Sequence, residues 1–189
     1  EDVKEETIIS EYLNLVVTSS EQLKEYVNKL LTYYTSDNLI VSKTRFPLAD
    51  LISEINQIVN ANNEAEIVTD FDGNLEIITD KTALSQILIN IISNGIKYNT
   101  TDKPIIKITN NIVNFKSNIS ISDNGIGIDT QNFETIFQNN KTLSKKDRYG
   151  NYGTGLGLAI VMNLTQKIDF DIKVSSEIGK GSTFTLMEK

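Results

Sequence analysis

The sequence predicts an α/β fold in which a mixed β-sheet carries helices on one face, preceded by one long helix. Three observations carry this reading. Residues 7–36 contain neither Gly nor Pro and keep a helical apolar period. From residue 43 onward, short segments of alternating polarity take turns with amphipathic segments. Clusters of Gly, Asn and Asp separate them, as turns do.

In the long helix, Ile9, Val16, Leu23 and Leu30 recur every seven residues. A second line, Leu13, Ser20, Val27 and Tyr34, follows four residues behind, flanked by Tyr12, Tyr26 and Tyr33. Such a double seam suits an antiparallel or four-helix bundle. A helix of this size is roughly 40 Å long and overhangs a small domain, which favours a partner helix. An amphipathic helix lying on its own domain is the alternative. Ser36-Asp37-Asn38 is expected to end it and start a hinge, dividing residues 1–38 from a second unit over 39–189.

In that second unit, Lys43–Phe46 reads as a strand, and Pro47 as the first residue of a helix reaching about Val59. Glu66–Thr69 and Leu75–Ile78 are strands separated by the turn Asp72-Gly73-Asn74. Asp80 is an N-cap for a helix over Lys81–Tyr98. Ile105–Phe115 and Asn118–Ser122 form a hairpin around Lys116-Ser117. A short helix over Asn132–Phe137 precedes a polar stretch, Gln138–Tyr152. A helix over Leu156–Lys167 and strands at Phe170–Ser175 and Ser182–Leu186 complete the chain.

Composition excludes several classes. The net charge of −7 and pI of about 4.7 argue against a nucleic-acid partner, whose phosphates demand a basic surface. Without Cys, disulfides and thiolate metal sites are impossible, and a reducing cytoplasm fits. Without His, the usual zinc sites and all Ser-His or Cys-His catalytic pairs are also excluded. The longest apolar stretch, Leu84–Ile96, is broken by Ser85, Gln86, Asn90, Ser93 and Asn94, so no membrane span is expected. The first residue is Glu rather than Met, and the chain is expected to be part of a longer one.

Three segments carry chemistry. On the helix Lys81–Tyr98, Asn90, Asn94 and Lys97 fall at i, i+4 and i+7 beside the apolar face. Asn is a poor helix former compared with Glu or Lys, so two of them one turn apart favour binding over solvation. The Asn94 carbonyl is a hard oxygen of the kind Mg²⁺ accepts when phosphates fill the rest of its shell. Lys97 is placed near the same phosphates as a point charge.

In Asn118–Ile128, Asp123 shares the strand parity of Ile119 and Ile121, so its carboxylate points to the core side. There it needs a donor, which the amino group of an adenine supplies, while Gly125 and Gly127 let backbone approach a flat ring. A strand ending in an Asx turn is the plainer reading, and it leaves the second glycine unexplained. Third, glycines at 150, 153, 155 and 157 lead into an amphipathic helix, an arrangement that offers free amides to phosphate. This is neither a Walker loop nor a dinucleotide fingerprint.

The order of these segments, followed by Gly179-Lys-Gly-Ser-Thr-Phe184, closely resembles the catalytic, ATP-binding domain of sensor histidine kinases over about Phe46–Met187. The resemblance implies the Bergerat-type two-layer α/β sandwich, ATP with Mg²⁺, and a mobile lid over the phosphates. It implies an N box of Asn90, Asn94, Lys97 and Tyr98, with Asn94 on the metal. Asp123, on the adenine amino group, Gly125, Gly127 and the adjoining Ile128 form the first glycine box. Phe133, Ile136 and Phe137 fall in the F box region. Gly153, Thr154, Gly155, Leu156, Gly157 and Leu158 form the second glycine box, and Gly179, Gly181 and Thr183 match the third. Residues 7–36 look like the second helix of the family's dimerisation and phosphotransfer bundle.

The implied activity is phosphorylation of a His on that bundle, in a homodimer, for relay to an Asp of a response regulator receiver domain. The acceptor His has no counterpart here, so ATP binding without self-phosphorylation is expected. The lid also departs from the family pattern. Asn140, Lys141 and Thr142 stand where an aromatic and an Arg are usual, leaving Lys141, Lys145, Lys146 or Arg148 to reach the γ-phosphate. The competing class is a hydrolytic ATPase of the same superfamily. Those enzymes place a Glu one turn before the metal Asn as general base, and Asn90 cannot take a proton. A partner-binding module without catalysis is a third class, disfavoured by the intact glycine boxes.

Overall fold

The computed structural model describes residues 2–36, 39–113, 116–143 and 145–189. The hinge expected at Asp37 and Asn38 lies outside these residues, as does Phe115, the expected end of a strand.

Helix α1 runs from Asp2 to Ser36. Near its C-terminus Leu30 and Tyr33 pack against the domain core, and the Asn163 amide donates to Ser36 Oγ at 2.9 Å. Further up, Ile9, Leu13, Val16, Leu23 and Val27, five residues of the two apolar lines, are exposed. One end of the helix therefore rests on its own domain while its seam stays open.

Strand β1 (Lys43–Pro47) pairs antiparallel with β3 (Glu76–Asp80) in a small separate sheet. Pro47 does not open helix α2 (Leu48–Val59), as the sequence suggested, but caps it. Its ψ of 131° is extended because it still pairs opposite Glu76, so the helix starts one residue later. The main sheet has the order β2-β4-β5-β7-β6. Its strands are β2 (Glu66–Asp70), β4 (Ile105–Val113), β5 (Lys116–Asp123), β6 (Phe170–Glu177) and β7 (Gly181–Glu188). β2 runs parallel to β4 and the other pairs are antiparallel, so the sheet is mixed. The Asp72–Leu75 turn forms, with Leu75 N–H donating to Asp72 O at 2.9 Å. It joins strands of different sheets rather than a hairpin.

Two further expectations need correction. Lys116 and Ser117 are not a turn but paired residues of β5, opposite Val113 and Ile112. The register that sets Ile108 against Ile121 continues to that end unbroken. The segment Asn132–Phe137 is not a helix. A 3₁₀ turn over Thr130–Asn132, capped by Asp129, gives way to successive turns, including Ile136 N–H to Asn132 O at 2.9 Å.

Helices α3 (Lys81–Lys97) and α4 (Gly157–Lys167) cover one face of the main sheet. Leu84, Ile87, Leu88, Ile91, Ile92 and Ile96 of α3 meet Ile106, Ile108, Ile119, Ile121, Phe184 and Leu186 of the strands. Burial at about 1.5–3 kcal/mol for each large aliphatic side chain is the main favourable term. On the opposite face the alternation exposes hydroxyls, which pair across strands as Ser120–Thr185 at 3.0 Å and Ser122–Thr183 at 2.8 Å. Asp80 caps α3 as expected: Oδ1 accepts from Ala83 N–H at 2.9 Å and Oδ2 from Ser42 N–H at 2.8 Å. Among the described residues, no helix is long and apolar enough to cross a membrane.

Candidate functional site

One large cleft, of about 1060 Å³, opens between α3, the end of β5, the segment 138–155 and the N-terminus of α4. The middle of α1 forms a further wall.

Within α3 the polar stripe divides. Asn90 is buried, with its amide donating to Gln86 O at 2.8 Å, and does not line the cleft. One turn on, Asn94 is half-buried and faces it. Among the described residues the Asn94 carboxamide has no hydrogen-bond partner. Both lie beside the start of α4: a Cβ at Gly157 would stand 3.1 Å from Asn90 Oδ1 and 3.8 Å from Asn94 Nδ2. Lys97 and Tyr98 continue the wall. Burial, and then the charge of Asp147, raises the phenol pKa of Tyr98.

Asp123 ends β5 beside Gly95, on the helix-covered side of the sheet. Its Oδ1 accepts from Gly125 N–H at 2.8 Å and more weakly from Ser182 N–H at 3.3 Å. Among the described residues its Oδ2 has no donor, and Asp123 lines the cleft. Burial pushes the carboxyl above the ordinary aspartate range, and the two amides hold it back only in part. A half-satisfied carboxylate of this kind calls for a donor from a ligand.

The segment 138–155 folds over the cleft. Asp147 organises a small hairpin, accepting at Oδ1 from Tyr149 N–H at 3.0 Å and Asn151 N–H at 2.8 Å. Lys146 pairs with Tyr152 across it and lies over the Tyr152 ring. Three tethers hold the hairpin. Arg148 N–H donates to Lys97 O at 2.9 Å, the Tyr149 hydroxyl donates to Glu64, and Gln22 Nε2 donates to Asn151 Oδ1 at 2.8 Å. Burial and then the Glu64 contact push the Tyr149 phenol up to about 12. Helix α4 has no side-chain cap, so its first amides are left to accept an anion, assisted by the helix dipole.

Most of the residues singled out in the sequence meet here: Asn94, Lys97, Tyr98, Asp123, Gly127, Ile128, Gly153, Thr154, Gly155, Gly157 and Leu158 line the cleft. Others stand behind it. Gly125 packs under the carbonyl of Tyr98, Leu156 is buried, and Phe137 makes an edge-on contact with Phe184, 6.4 Å between centroids. Thr183 lies on the far face of the sheet with Ser122, while its neighbours Ser182 and Phe184 reach the cleft. Of the four candidate lid cations, Lys141, Lys145 and Lys146 line the cleft, whereas Arg148 borders a separate small groove with Asn99–Asp102. The sequence reading missed Ser182, the Asp147 hairpin and the α1 residues Gln22, Glu25 and Lys29. Only the Glu25–Lys29 pair, at i and i+4, left a signal.

A two-layer sandwich holding a cleft between an Asn-bearing helix, an Asp-Gly strand end and a glycine-led helix defines a class of ATPases. The chain belongs to it: residues 79–188 match the family described as histidine kinase-, DNA gyrase B- and HSP90-like ATPase. Its similar relatives are sensor kinases. It is 32% identical over 185 residues to the autoinducer 2 sensor kinase/phosphatase LuxQ of Vibrio parahaemolyticus, covering 89% of this chain and 21% of that protein. It is 29% identical over 188 residues to the signal transduction histidine-protein kinase ArlS of Staphylococcus aureus, covering 97% and 42%. The chain thus spans only part of these proteins. Among solved structures, full-length ShkA in complex with AMPPNP superposes with a TM-score of 0.77 at 22% identity, over 94% of this chain and 38% of that one. The histidine kinase AdeS of Acinetobacter baumannii gives 0.72 at 22%, over 92% and 81%. These two likenesses show the fold.

Proposed function

We propose that the chain is the nucleotide-binding catalytic part of a two-component sensor histidine kinase. In this reading it binds ATP with Mg²⁺ and donates the γ-phosphate to a His on a dimerisation bundle, for relay to a receiver-domain Asp. The observation that carries it is the pair of side chains unsatisfied among the described residues, Asp123 Oδ2 and the Asn94 carboxamide, in one cleft with the uncapped N-terminus of α4. Asp123 accepts from the adenine amino group. The α4 amides and Lys97 hold the phosphates, with Lys141, Lys145 and Lys146 candidates for the γ-phosphate. Tyr98, Gly127, Ile128, Thr154 and Leu158 shape the pocket.

Mg²⁺ fits Asn94. Among the described residues no group of acidic side chains could hold a metal by itself, and a lone neutral oxygen suits an ion that phosphates ligate as well. When bound, Mg²⁺ neutralises charge on the phosphates. The protein's share is positioning, as phosphoryl transfer requires. In the transfer, the bond from the γ-phosphorus to the β,γ-bridging oxygen breaks as a bond to the acceptor nitrogen forms, leaving ADP.

Residues 1–38 are read as part of the dimerisation and phosphotransfer bundle and 39–189 as the ATP-binding domain, acting in the cytoplasm as a homodimer. The open seam of α1 supports the first assignment. The hydrolase reading is disfavoured by Asn90, an amide where a general base is needed, buried and bonded to its own helix. With no His, the chain supplies the donor and not the acceptor.

Calorimetric titration with a non-hydrolysable ATP analogue and Mg²⁺ tests this on wild type, Asn94→Ala and Asp123→Asn. Both substitutions are expected to weaken binding about tenfold or more, the loss of one charge-assisted contact. No binding by wild type, or unchanged affinity in both variants, refutes the assignment. Label from γ-labelled ATP is expected not to enter the chain.

A further inference from the structure

Helix α1 does more than border the cleft. Glu25, at the mouth, is held by two ammonium groups, Lys29 Nζ at 2.6 Å and Lys97 Nζ at 3.1 Å. Three residues earlier on the same helix, Gln22 bonds to Asn151 of the lid hairpin. The two contacts clamp the middle of α1 onto the edge of α3 and the lid at once. Below them, Leu30, Tyr33 and Ser36 anchor the helix to the domain. The cleft is therefore shared: α1 side chains line it together with Asn94, Asp123 and Gly153.

We propose that docked α1 restrains the nucleotide site, with the Glu25 carboxylate occupying Lys97 in place of a nucleotide phosphate. The proposal rests on the nucleotide reading above. Lys97 has one ammonium to offer, and two anions compete for it: a carboxylate on a tethered helix and a triphosphate in the cleft. Phosphate carries more charge and more acceptor oxygens than a carboxylate, so nucleotide displaces Glu25 and α1 loosens from the lid. By reciprocity, anything that pulls α1 away raises nucleotide affinity by the same factor. Burial disfavours the charged form of Glu25, yet Lys29 and Lys97 outweigh it and leave the carboxyl below its ordinary value. It is thus anionic and able to compete at neutral pH. Because the pair is partly exposed, the coupling is modest.

The test compares wild type with Glu25→Gln, titrated with AMPPNP plus Mg²⁺ and, separately, with adenosine, which has no phosphate. Glu25→Gln is expected to bind AMPPNP about two- to fivefold more tightly, with adenosine affinity unchanged. Unchanged or weaker AMPPNP binding by the variant overturns the proposal while leaving the nucleotide reading intact, provided wild type binds. Equal tightening of adenosine also overturns it, since the effect is then steric. If neither protein binds AMPPNP, both readings fall. As a second measurement, the chain has no native Cys, so spin labels can be placed on Thr18→Cys and Ile178→Cys, both exposed positions. Their separation is expected to increase or broaden when AMPPNP and Mg²⁺ are added. An unchanged distance distribution in a saturated sample overturns displacement of α1.

Discussion

Gly153 lies so close to the side chain of Tyr98 that a Cβ added to the glycine would overlap the phenolic oxygen. The lid and the C-terminal end of α3 thus touch through a residue without a side chain and one whose phenol is itself half-buried. Gly153→Ala should force Tyr98 and the 150–155 segment apart. About a tenfold loss of ATP-analogue affinity, ~1.4 kcal/mol, is expected by calorimetry. Adding Tyr98→Phe should restore part of it by removing the clashing oxygen. Wild-type affinity in the single variant would contradict the contact.

Asp123 has its carboxyl raised by burial, which fixes the sign of its contribution to stability. A group whose folded pKa lies above its unfolded value destabilises the fold once pH exceeds both, and the penalty disappears as pH falls below both. The nucleotide-free Asp123→Asn protein should therefore melt about 2 °C or more above wild type at pH 7. That gain should shrink as pH falls through the carboxylate range. Scanning calorimetry at several pH values reads this, and a variant less stable than wild type at neutral pH would refute it.

Tyr149 donates to Glu64, and burial together with that contact pushes its phenol up to about 12. Its folded pKa is raised, so the stability the phenol contributes is present below about 10, the ordinary tyrosine value, and lost as pH climbs toward 12. Tyr149→Phe should remove the most alkaline tyrosine from an ultraviolet titration. It should also raise the rate of limited proteolysis within 138–152 about two- to fivefold at neutral pH, as the lid loses one exposed tether. An unaltered cleavage rate would show that the tether does not hold the lid.

Asp80 satisfies two backbone donors from elements that must meet, Ser42 before β1 and Ala83 at the start of α3. Asp80→Ala leaves both amides unpaired at a buried position. The expected cost is about 2 kcal/mol, or a melting temperature lower by roughly 4–8 °C. A change within 1 °C would mean that water replaces the carboxylate at no cost.

What the sequence disclosed depended on whether the determining contact was local. Asp80 as a cap, the α3 apolar face and the parity of Asp123 with Ile119 and Ile121 follow from spacing along one element, and each agrees with the structure. The hairpin turn was misplaced because Lys116 and Ser117 are polar at a sheet end, where pairing with Val113 and Ile112 decides. Pro47 suits a helix start by its φ, and its ψ is set by a strand partner far along the chain. Within the site, Asn90 read as part of the binding stripe with Asn94, and its burial away from the cleft comes with the approach of Gly157, a tertiary contact. Glu25 and Gln22 did not read as site residues for the same reason: their partners on α3 and on the lid lie 72 and 129 positions away.

The antiparallel register of Ser122 with Thr183 carries one more implication. Chain leaving β5 at Asp123 returns to the same spot at Ser182, whose amide closes on the Asp123 side chain. Between these points run the lid, helix α4 and strand β6; α4 and β6 are fixed in the core and the sheet, and only the lid hangs as a loop. Insertions there leave the strands undisturbed, and doubling the lid costs only about 0.6 kcal/mol of closure entropy. Lid length and composition are therefore free to drift with the demands of a partner, while the clasp at Asp123 stays put.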